Sequence, residues 1–329
     1  FGKWHLGHGE GAPAPEAYGI DASRTWNSSG AAWPQQKTDP YFVAHSADLV
    51  VDEAIAFIKQ HRDKPFYVNV WSYAPHATLK PTPEELAVYD DLKVDPKDFP
   101  AWMRDYVAGA KDPVQQMKVF CAAVTGLDKA IGRLLDFLDE TGLAKDTIVF
   151  FSSDNGPEDY HIGNASNAGM GSPGVLRARK RSLYEGGIRT PLLVRWPGHV
   201  KAGRVDETSV LASVDFLPTV CGIVGVDAGK CKPDGEDVGN ILTGKARPRT
   251  RPIFWEWRSG VVGNPQYTPP RLAVREGNWK LYVNYDGSGK QLYDVVADAS
   301  QEHDVAKDHA ELVSQLAEKV LAWKKTLPP

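Results

Sequence analysis

Three segments of the chain bring together residue types that suit chemistry on an anionic substrate. Lys3 and His5 lie two positions apart, so in an extended segment an ammonium and an imidazole project to one side, where they could hold an anion or move a proton. His76 follows an aromatic and β-branched run, and Asp154 with Asn155 follows a second apolar run. Adjacent carboxylate and amide oxygens suit Ca²⁺ or Mg²⁺. Taken alone, each segment is also compatible with solvated side chains or an ordinary Asp-Asn-Gly turn.

Lys180 belongs to a fourth candidate segment, a basic run over residues 177–181. A run of this kind is typical either of a solvated face or of a phosphate or sulfate site. Two adjacent glycines, Gly186 and Gly187, follow it and precede an apolar segment. Paired glycines before a strand indicate that two backbone segments approach each other closely near a site.

The elements that must position these residues alternate between helices and strands, which indicates an α/β sheet with helices on its faces. The spacing predicts, in chain order, a helix that begins at Ser46 and stops before Pro65, a strand over 66–71, a helix over 112–142, a strand over 147–151, a strand over 191–196 and a helix over 214–224. Because the run 147–151 lacks alternation, we expect a parallel strand covered on both faces. Ligands of open α/β sheets bind beyond the carboxyl ends of the strands, where His76 and Asp154 fall.

A smaller second domain is expected after the basic, proline-containing stretch 245–252. We place an α/β domain at residues 1–247 and a small α+β domain at residues 248–329. The later segments predict a meander with strands over 272–275, 279–285 and 291–295, followed by a helix with an apolar stripe at Leu312, Leu316, Val320 and Trp323.

Composition excludes several classes of protein. The 329 residues contain 38 Lys and Arg against 42 Asp and Glu, so the net charge of -4 gives no basic field for binding nucleic acid. No apolar run approaches the roughly 18 to 20 residues that a membrane-spanning helix needs. Three cysteines do not make a disulfide framework, although Cys221 and Cys231 could close a short loop. We therefore expect a globular chain that neither binds nucleic acid nor spans a membrane.

The four candidate segments together resemble those of the sulfatase family, of the arylsulfatase and N-acetylgalactosamine-6-sulfatase type. Gly-Lys-Trp-His-Leu-Gly at 2–7 is similar to the second signature of that family, and Ser-Asp-Asn-Gly-Pro-Glu at 153–158 resembles its metal-binding strand end. Ala-Pro-His at 74–76, and Lys180 with the segment 184–191, match two further segments in the family's order. Similarity continues into the C-terminal region and so covers nearly the whole chain.

The resemblance implies an alkaline phosphatase-like α/β fold, in which helices flank a large mixed sheet and a small α+β domain with an antiparallel sheet follows. It also implies hydrolysis of sulfate monoesters on a sulfated carbohydrate. In the family, a formylglycine made from Cys or Ser supplies the nucleophile, and a divalent cation, usually Ca²⁺, offsets the charge of the sulfate. Mg²⁺ is the alternative cation.

The family also implies a role for each candidate residue. Asp154 and Asn155 would be two ligands of the cation. Lys3 would hold the formylglycine and a sulfate oxygen, and Lys180 would bind sulfate and stabilise charge on the departing oxygen. His76 would contact the sulfate and protonate the leaving alcohol. His5 would take a proton from the formylglycine hydroxyl and so help to expel sulfate.

The family's nucleophile motif, Cys or Ser followed by x-Pro-x-Arg, does not occur in these 329 residues. Cys231-Lys-Pro-Asp-Gly235 is the nearest match, and it has Gly where Arg is required. The aspartate pair that completes the family's metal site is absent too. Both features precede the Gly-Lys-Trp-His segment in the family. We therefore expect the nucleophile in an N-terminal segment upstream of Phe1, either in the same protein or in a companion chain.

Other functions stay open on the sequence alone. The chain could bind sulfated glycans without turnover, or it could be a phosphatase or phosphonate hydrolase of the same superfamily. His45, Lys80 and His161 could contact a sugar carboxylate or a second sulfate, although solvated basic residues are commoner. Asn27 and Asn164 fit the N-glycosylation pattern. The family's habit predicts an extracytoplasmic location, whether periplasmic, secreted or lysosomal.

Overall fold

A computed structural model describes residues 1–160, 165–261 and 263–328. The chain divides into two compact units: the first contains residues 1–144 and 160–172, and the second contains 145–159 and the chain from Pro173 onwards. The predicted domain boundary at residue 247 stays a prediction. His161 and Asn164 lie outside the described residues.

In the described part of the chain, no helix has both the length and the apolar character needed to cross a membrane. The three cysteines, all of them in that part, are free thiols, so no disulfide closes the loop between Cys221 and Cys231.

The first unit consists mainly of helices. Its described residues form β1 (Gly2–Lys3), β2 (Thr25–Trp26), α1 (Gln35–Thr38), α2 (Phe42–His61), α3 (Pro83–Ala87), α4 (Ala101–Gly109) and α5 (Pro113–Glu140). The predicted start of α5 is confirmed, because the side chain of Asp112 accepts a hydrogen bond from the Gln115 amide at 2.9 Å. Helices α2 and α5 pack together through a core that includes Ala47, Val51 and Ala130.

Two sequence predictions in this unit need correction. Helix α2 begins at Phe42 and not at Ser46 as predicted. Ser46 lies inside the helix, and its hydroxyl donates to Val43 O at 2.8 Å instead of capping the helix. The segment 66–71 pairs only where it passes the first residues of the chain. There Trp71 N donates to Phe1 O at 2.9 Å and Trp71 O accepts from Lys3 N at 2.9 Å, which is the parallel pattern. Since β1 is two residues long, the paired stretch is short.

The second unit contains a short antiparallel pair of strands near its start in the chain. Its first elements are β3 (Val149–Ser152), α6 (Glu185–Ile188), β4 (Leu192–Arg195), α7 (Phe216–Val224) and α8 (Gly239–Leu242). The prediction of a parallel strand covered on both faces at 147–151 is wrong, because β3 pairs antiparallel with β4. Phe151 and its partner Leu193 are 40% and 58% exposed. An apolar run indicates that a strand is hydrophobic, but it does not indicate whether the partner strand runs parallel or antiparallel.

A four-stranded antiparallel sheet follows in the same unit, in the order β5 (Ile253–Glu256), β6 (Leu272–Glu276), β7 (Trp279–Val283) and β8 (Gln291–Asp294). Helix α9 (Ala310–Thr326) packs Leu316 and Val320 against Leu272, Leu281 and other fully buried residues of this sheet. The predicted meander and final helix are confirmed, and β5 is an additional strand that the sequence analysis missed.

Candidate active site

Lys3 and His76 meet at a single tyrosine in the first unit. The ammonium of Lys3 lies 5.7 Å from the centre of the Tyr73 ring, and the imidazole of His76 packs edge-on against the same ring at 5.4 Å. The Tyr73 hydroxyl donates to Ala77 O at 2.8 Å. Burial raises the pKa of Tyr73, so the hydroxyl remains a neutral donor at ordinary pH. A cation and a titratable imidazole therefore share one aromatic support.

The backbone fixes Lys3 through the glycine that precedes it. Gly2 has a φ of 111°, and a Cβ atom at this position would collide with the carbonyl of Trp71. Only glycine permits this approach, which allows Lys3 to pair with Trp26 of β2 and with Trp71. His5 follows in the left-handed region with a φ of 54° and is exposed. The two basic residues are thus held by backbone geometry at the start of the chain.

His76 is held in one tautomer by its own backbone. Its Nδ1 lies 2.5 Å from Ala77 O, and because a carbonyl oxygen only accepts, Nδ1 must carry the proton. In the neutral ring Nε2 then holds the lone pair, and in the imidazolium Nε2–H is the second donor. This arrangement suits a group that gives a proton to a departing oxygen.

Asp154 and Asn155 lie just past the end of β3, as predicted. Asp154 is exposed, and the amide nitrogen of Asn155 donates to Gly156 O at 2.9 Å. A carboxylate and an amide oxygen are suitable donors for a hard cation, which takes about six to eight oxygen ligands when it is Ca²⁺. Among the described residues, no cluster of three or more His, Cys, Asp or Glu could hold a metal ion. The pair therefore fits part of a ligand set.

Lys180 in the second unit forms an ion pair with a buried carboxylate. Its ammonium lies 3.1 Å from Glu158, and the guanidinium of Arg181 bonds the other oxygen of the same carboxylate. Burial disfavours the charge on Glu158, but the two cations outweigh burial and lower the pKa of Glu158 below its ordinary value. Lys180 is therefore oriented by an ionised partner, which the sequence analysis did not identify.

Backbone contacts connect the Asp154 segment to the Lys180 segment. Gly156 N donates to Gly187 O at 2.9 Å, and Lys180 N donates to Pro157 O at 2.9 Å. A Cβ atom on Gly156 would collide with the carbonyl of Gly186, and one on Gly186 would collide with the carbonyl of Ala178. The close approach predicted from the paired glycines is confirmed. It brings the predicted metal ligands and Lys180 into one part of the second unit.

A fully buried polar network lies beneath this segment. Lys280 is 0% exposed and donates to Glu185 at 2.7 Å and to Leu183 O at 2.8 Å. Gln301 accepts from the Glu185 amide at 2.8 Å and donates to the hydroxyl of Tyr282 at 2.7 Å. Burial opposes the charge on Glu185, yet Lys280 holds the pKa of Glu185 below its ordinary value. The network anchors α6, which carries Gly186 and Gly187.

The structure thus groups the predicted residues in two sets, one in each unit. Lys3 and His76 share Tyr73, with His5 two residues beyond Lys3. Asp154, Asn155 and Lys180 share the second unit. The roles assigned to all six residues stay predictions.

Two functional candidates escaped the sequence analysis, Tyr73 and Glu158. Tyr73 stands just before the Ala-Pro-His segment, and Glu158 ends the Asp-Asn-Gly-Pro-Glu segment. Both therefore lie inside or beside quoted motifs. The sequence did not show that Tyr73 would contact Lys3 or that Glu158 would contact Lys180.

Comparisons with known proteins identify the family of this chain. Residues 1–226 match the family model for sulfatases, and residues 178–326 match the model for the C-terminal part of N-sulphoglucosamine sulphohydrolase. The chain therefore belongs to the sulfatase family. This result confirms the resemblance inferred from the four motif segments.

Individual relatives support the family and the fold. The chain is 29% identical to arylsulfatase A of Bos taurus over 247 residues, which are 75% of this chain and 40% of that protein. It is 27% identical to N-acetylgalactosamine-6-O-sulfatase of Bacteroides thetaiotaomicron over 281 residues, 83% of this chain and 50% of that protein. The crystal structure of Ps i-CgsB matches with a TM-score of 0.66 at 26% identity, covering 84% of this chain and 54% of that one.

The predicted alkaline phosphatase-like α/β class with a small antiparallel C-terminal sheet is confirmed by these matches. The chain spans about half the length, or less, of the curated relatives that it matches.

Proposed function

We propose that this chain forms the sulfate-binding part of a sulfuric ester hydrolase that acts on a sulfated carbohydrate. The observation that carries the proposal is the convergence of the Lys3 ammonium and the His76 imidazole on the Tyr73 ring. A fixed cation beside a proton donor is what cleavage of a sulfate ester requires, since negative charge develops on the leaving oxygen. A curated relative named N-acetylgalactosamine-6-O-sulfatase supports a carbohydrate substrate.

Each candidate residue has a defined part in this proposal. Lys3 and Lys180 bind sulfate oxygens, and Lys180 also stabilises charge on the departing oxygen. His76, as the imidazolium, donates its Nε2 proton to the leaving alcohol. His5 accepts a proton when sulfate is released.

We propose further that Asp154 and Asn155 hold a divalent cation, Ca²⁺ or Mg²⁺. When bound, the cation offsets the negative charge of the sulfate ester. The proposal is supported by the oxygen donors of these residues and by their position past the end of β3.

We propose that the nucleophile is a formylglycine supplied from outside these 329 residues, by an N-terminal segment or a companion chain. The motif that would generate it, Cys or Ser followed by x-Pro-x-Arg, is absent from the sequence. Phe151 of β3 and Leu192 and Leu193 of β4 are large apolar residues with 40% or more of their surface exposed. Apolar surface of this kind on a pair of short strands favours coverage by further polypeptide.

Binding of a sulfated sugar tests the proposed function without requiring turnover. We would titrate the chain with N-acetylgalactosamine 6-sulfate in the presence of Ca²⁺, and compare the unsulfated sugar and the 6-phosphate. Lys3→Gln and Lys180→Gln should each weaken binding by about ten-fold to a hundred-fold, since each removes a charge-assisted hydrogen bond. Lys59→Gln is a matched control, because Lys59 also lies over an aromatic ring, that of Phe137, at 5.5 Å.

Three outcomes decide between the functions. Selective binding of the sulfated sugar that both variants weaken supports the proposal. Equal or tighter binding of the 6-phosphate would favour a phosphatase of the same superfamily. Affinity that none of the variants changes would contradict the assignment of Lys3 and Lys180. Separately, sulfate release that appears only after a formylglycine-bearing segment is added would establish hydrolysis, and turnover by the 329 residues alone would refute an external nucleophile.

A further inference from the structure

Four polar residues of the first unit form an exposed cluster outside the site described above. His45 Nδ1 lies 2.6 Å from the carboxylate of Asp39, and the ammonium of Lys80 lies 5.2 Å from the centre of the Tyr41 ring. The side chain of His45 is 48% exposed, and Lys80 is exposed as well. The cluster joins the start of α2 to the segment that follows His76.

Asp39, the acidic residue of the cluster, already accepts a hydrogen bond at each of its carboxylate oxygens. One oxygen of Asp39 accepts from the backbone amide of Tyr41 at 2.8 Å, and the other accepts from His45. The bond from His45 and the bond from the Tyr41 amide together lower the pKa of Asp39 below its ordinary value. Because Nδ1 of His45 faces Asp39, the opposite ring nitrogen, Nε2, is directed away from the carboxylate. Protonated His45 therefore presents a second N–H donor.

Lys80 differs from Lys180 in the way its ammonium is held. Within the described part of the chain it forms no ion pair, and its ammonium rests on the Tyr41 ring instead. A cation held by a ring keeps its hydrogen-bond donors for an incoming anion. Lys180, by contrast, donates one of its hydrogen bonds to Glu158. The exposed ammonium of Lys80 therefore has donors for an anion, while the nearby Asp39 carboxylate offsets part of its charge.

Two routes through the first unit connect this cluster to the proposed sulfate site. Along the chain, Lys80 is four positions after His76, so their Cα atoms are at most about 14 Å apart. Through the core, Trp26 contacts Tyr73 at 5.9 Å and Phe42, the residue after Tyr41, at 5.8 Å. A separation of this size lies within the length of a short oligosaccharide, and the packed aromatic side chains connect the two places.

We propose that Lys80, with His45, forms a subsite for an acidic group of the substrate other than the sulfate that is cleaved. The ligand is a carboxylate or a second sulfate ester on the sugar bound at Lys3 and His76 or on its neighbour. Tyr41 supports the ammonium of Lys80, and Asp39 orients His45. The inference rests on the proposed function, which it extends to acidic sulfated glycans as the substrate class.

Paired ligands test the subsite directly. The first ligand is a disaccharide of glucuronic acid and N-acetylgalactosamine 6-sulfate, and its match carries glucose in place of glucuronic acid. Wild-type protein should bind the acidic disaccharide about ten-fold more tightly, as expected of one charge-assisted contact. Lys80→Gln should abolish that preference and leave affinity for the neutral match unchanged. Lys59→Gln should retain the preference. A disulfated N-acetylgalactosamine, compared with the monosulfated sugar, determines whether a second sulfate also occupies the subsite.

The outcomes separate this inference from the proposed function. If both disaccharides bind equally to wild type and to Lys80→Gln, and the second sulfate adds nothing, the subsite is refuted while the sulfate site stands. If neither sulfated ligand binds, the proposed function fails, and the unsulfated glucuronic acid disaccharide still tests the cluster by NMR. Imidazole signals of His45 that shift with this ligand in wild type but not in Lys80→Gln would support the subsite, and signals that do not shift would overturn it.

Discussion

The two sets of candidate residues are held in place by different physical means. In the first unit, Lys3 and His76 are supported by an aromatic ring and by backbone contacts. In the second unit, Lys180 is supported by the buried carboxylate of Glu158, and α6 nearby is anchored by the Glu185–Lys280 pair. Aromatic packing responds little to pH or salt, whereas buried ion pairs require that their carboxylates stay ionised. We therefore expect the two sets of residues to lose their arrangement under different conditions of pH and salt.

The buried network of the second unit gives the sharpest contrast. A buried ion pair contributes little net stability, but removing one partner leaves an uncompensated charge in the interior. Lys280 has two acceptors, the Glu185 carboxylate and Leu183 O, so its ammonium is fully engaged only while Glu185 is ionised. Integrity of this region therefore depends on one carboxylate.

Replacement of Glu185 by Gln should have the largest effect. It leaves the Lys280 ammonium buried without a counter-charge and should lower the free energy of unfolding by about 3 to 5 kcal/mol. Glu276→Gln is the control, since Glu276 pairs with Lys319 at 2.6 Å with both side chains about half exposed. The Glu276→Gln variant should lower the free energy of unfolding by no more than about 1 kcal/mol. Urea unfolding measures both, and similar costs for the two variants would contradict the contrast between buried and exposed pairs.

Acid should weaken the second unit through Glu236. Burial favours the neutral form of Glu236, but hydrogen bonds from Arg247 and from the Thr250 and Arg251 amides outweigh burial and lower its pKa to about 2. Because the folded pKa lies below the unfolded one, the stabilisation is complete above about pH 4.5 and is lost as the pH falls towards 2. The loss should amount to about 3 kcal/mol.

Unfolding measured from pH 5 to pH 2 tests this prediction. Glu236→Gln is less stable at neutral pH, but its stability should decline less steeply with acid than that of the wild type. Parallel pH dependence of the two proteins would show that Glu236 does not titrate as the geometry implies.

The sequence predicted the elements and motifs whose information is local. The Asp112 cap and the apolar period defined α5, and the short segments of the predicted meander defined β6 to β8. The antiparallel partner of β3 was not predictable, because pairing direction depends on a strand about 40 residues away. Ser46 is a preferred capping type, yet tertiary packing extended α2 past it.

The same distinction applies to the candidate site. Motif segments identified Lys3, His76 and Lys180, but the partners of the two lysines come from distant positions. Glu158 lies 22 residues from Lys180, and Glu185 lies 95 residues from Lys280. A charged residue in sequence does not specify its counter-ion, since the fold determines which groups meet. Only the paired glycines carried a local signal of close approach, and that signal proved correct.

The smallest predicted effect concerns Tyr73 and tests the aromatic side of the comparison. Tyr73→Phe keeps the ring beneath Lys3 and removes only the hydroxyl that donates to Ala77 O, so stability should fall by about 1 kcal/mol. Affinity for the sulfated sugar should change by less than about three-fold, because the cation–π contact is retained. Tyr67→Phe is the control, since its hydroxyl bonds Asn69 at an exposed position. A large loss of sugar affinity in Tyr73→Phe would show that the hydroxyl, and not the ring, positions Lys3 and His76, and the two units would then rely equally on polar contacts.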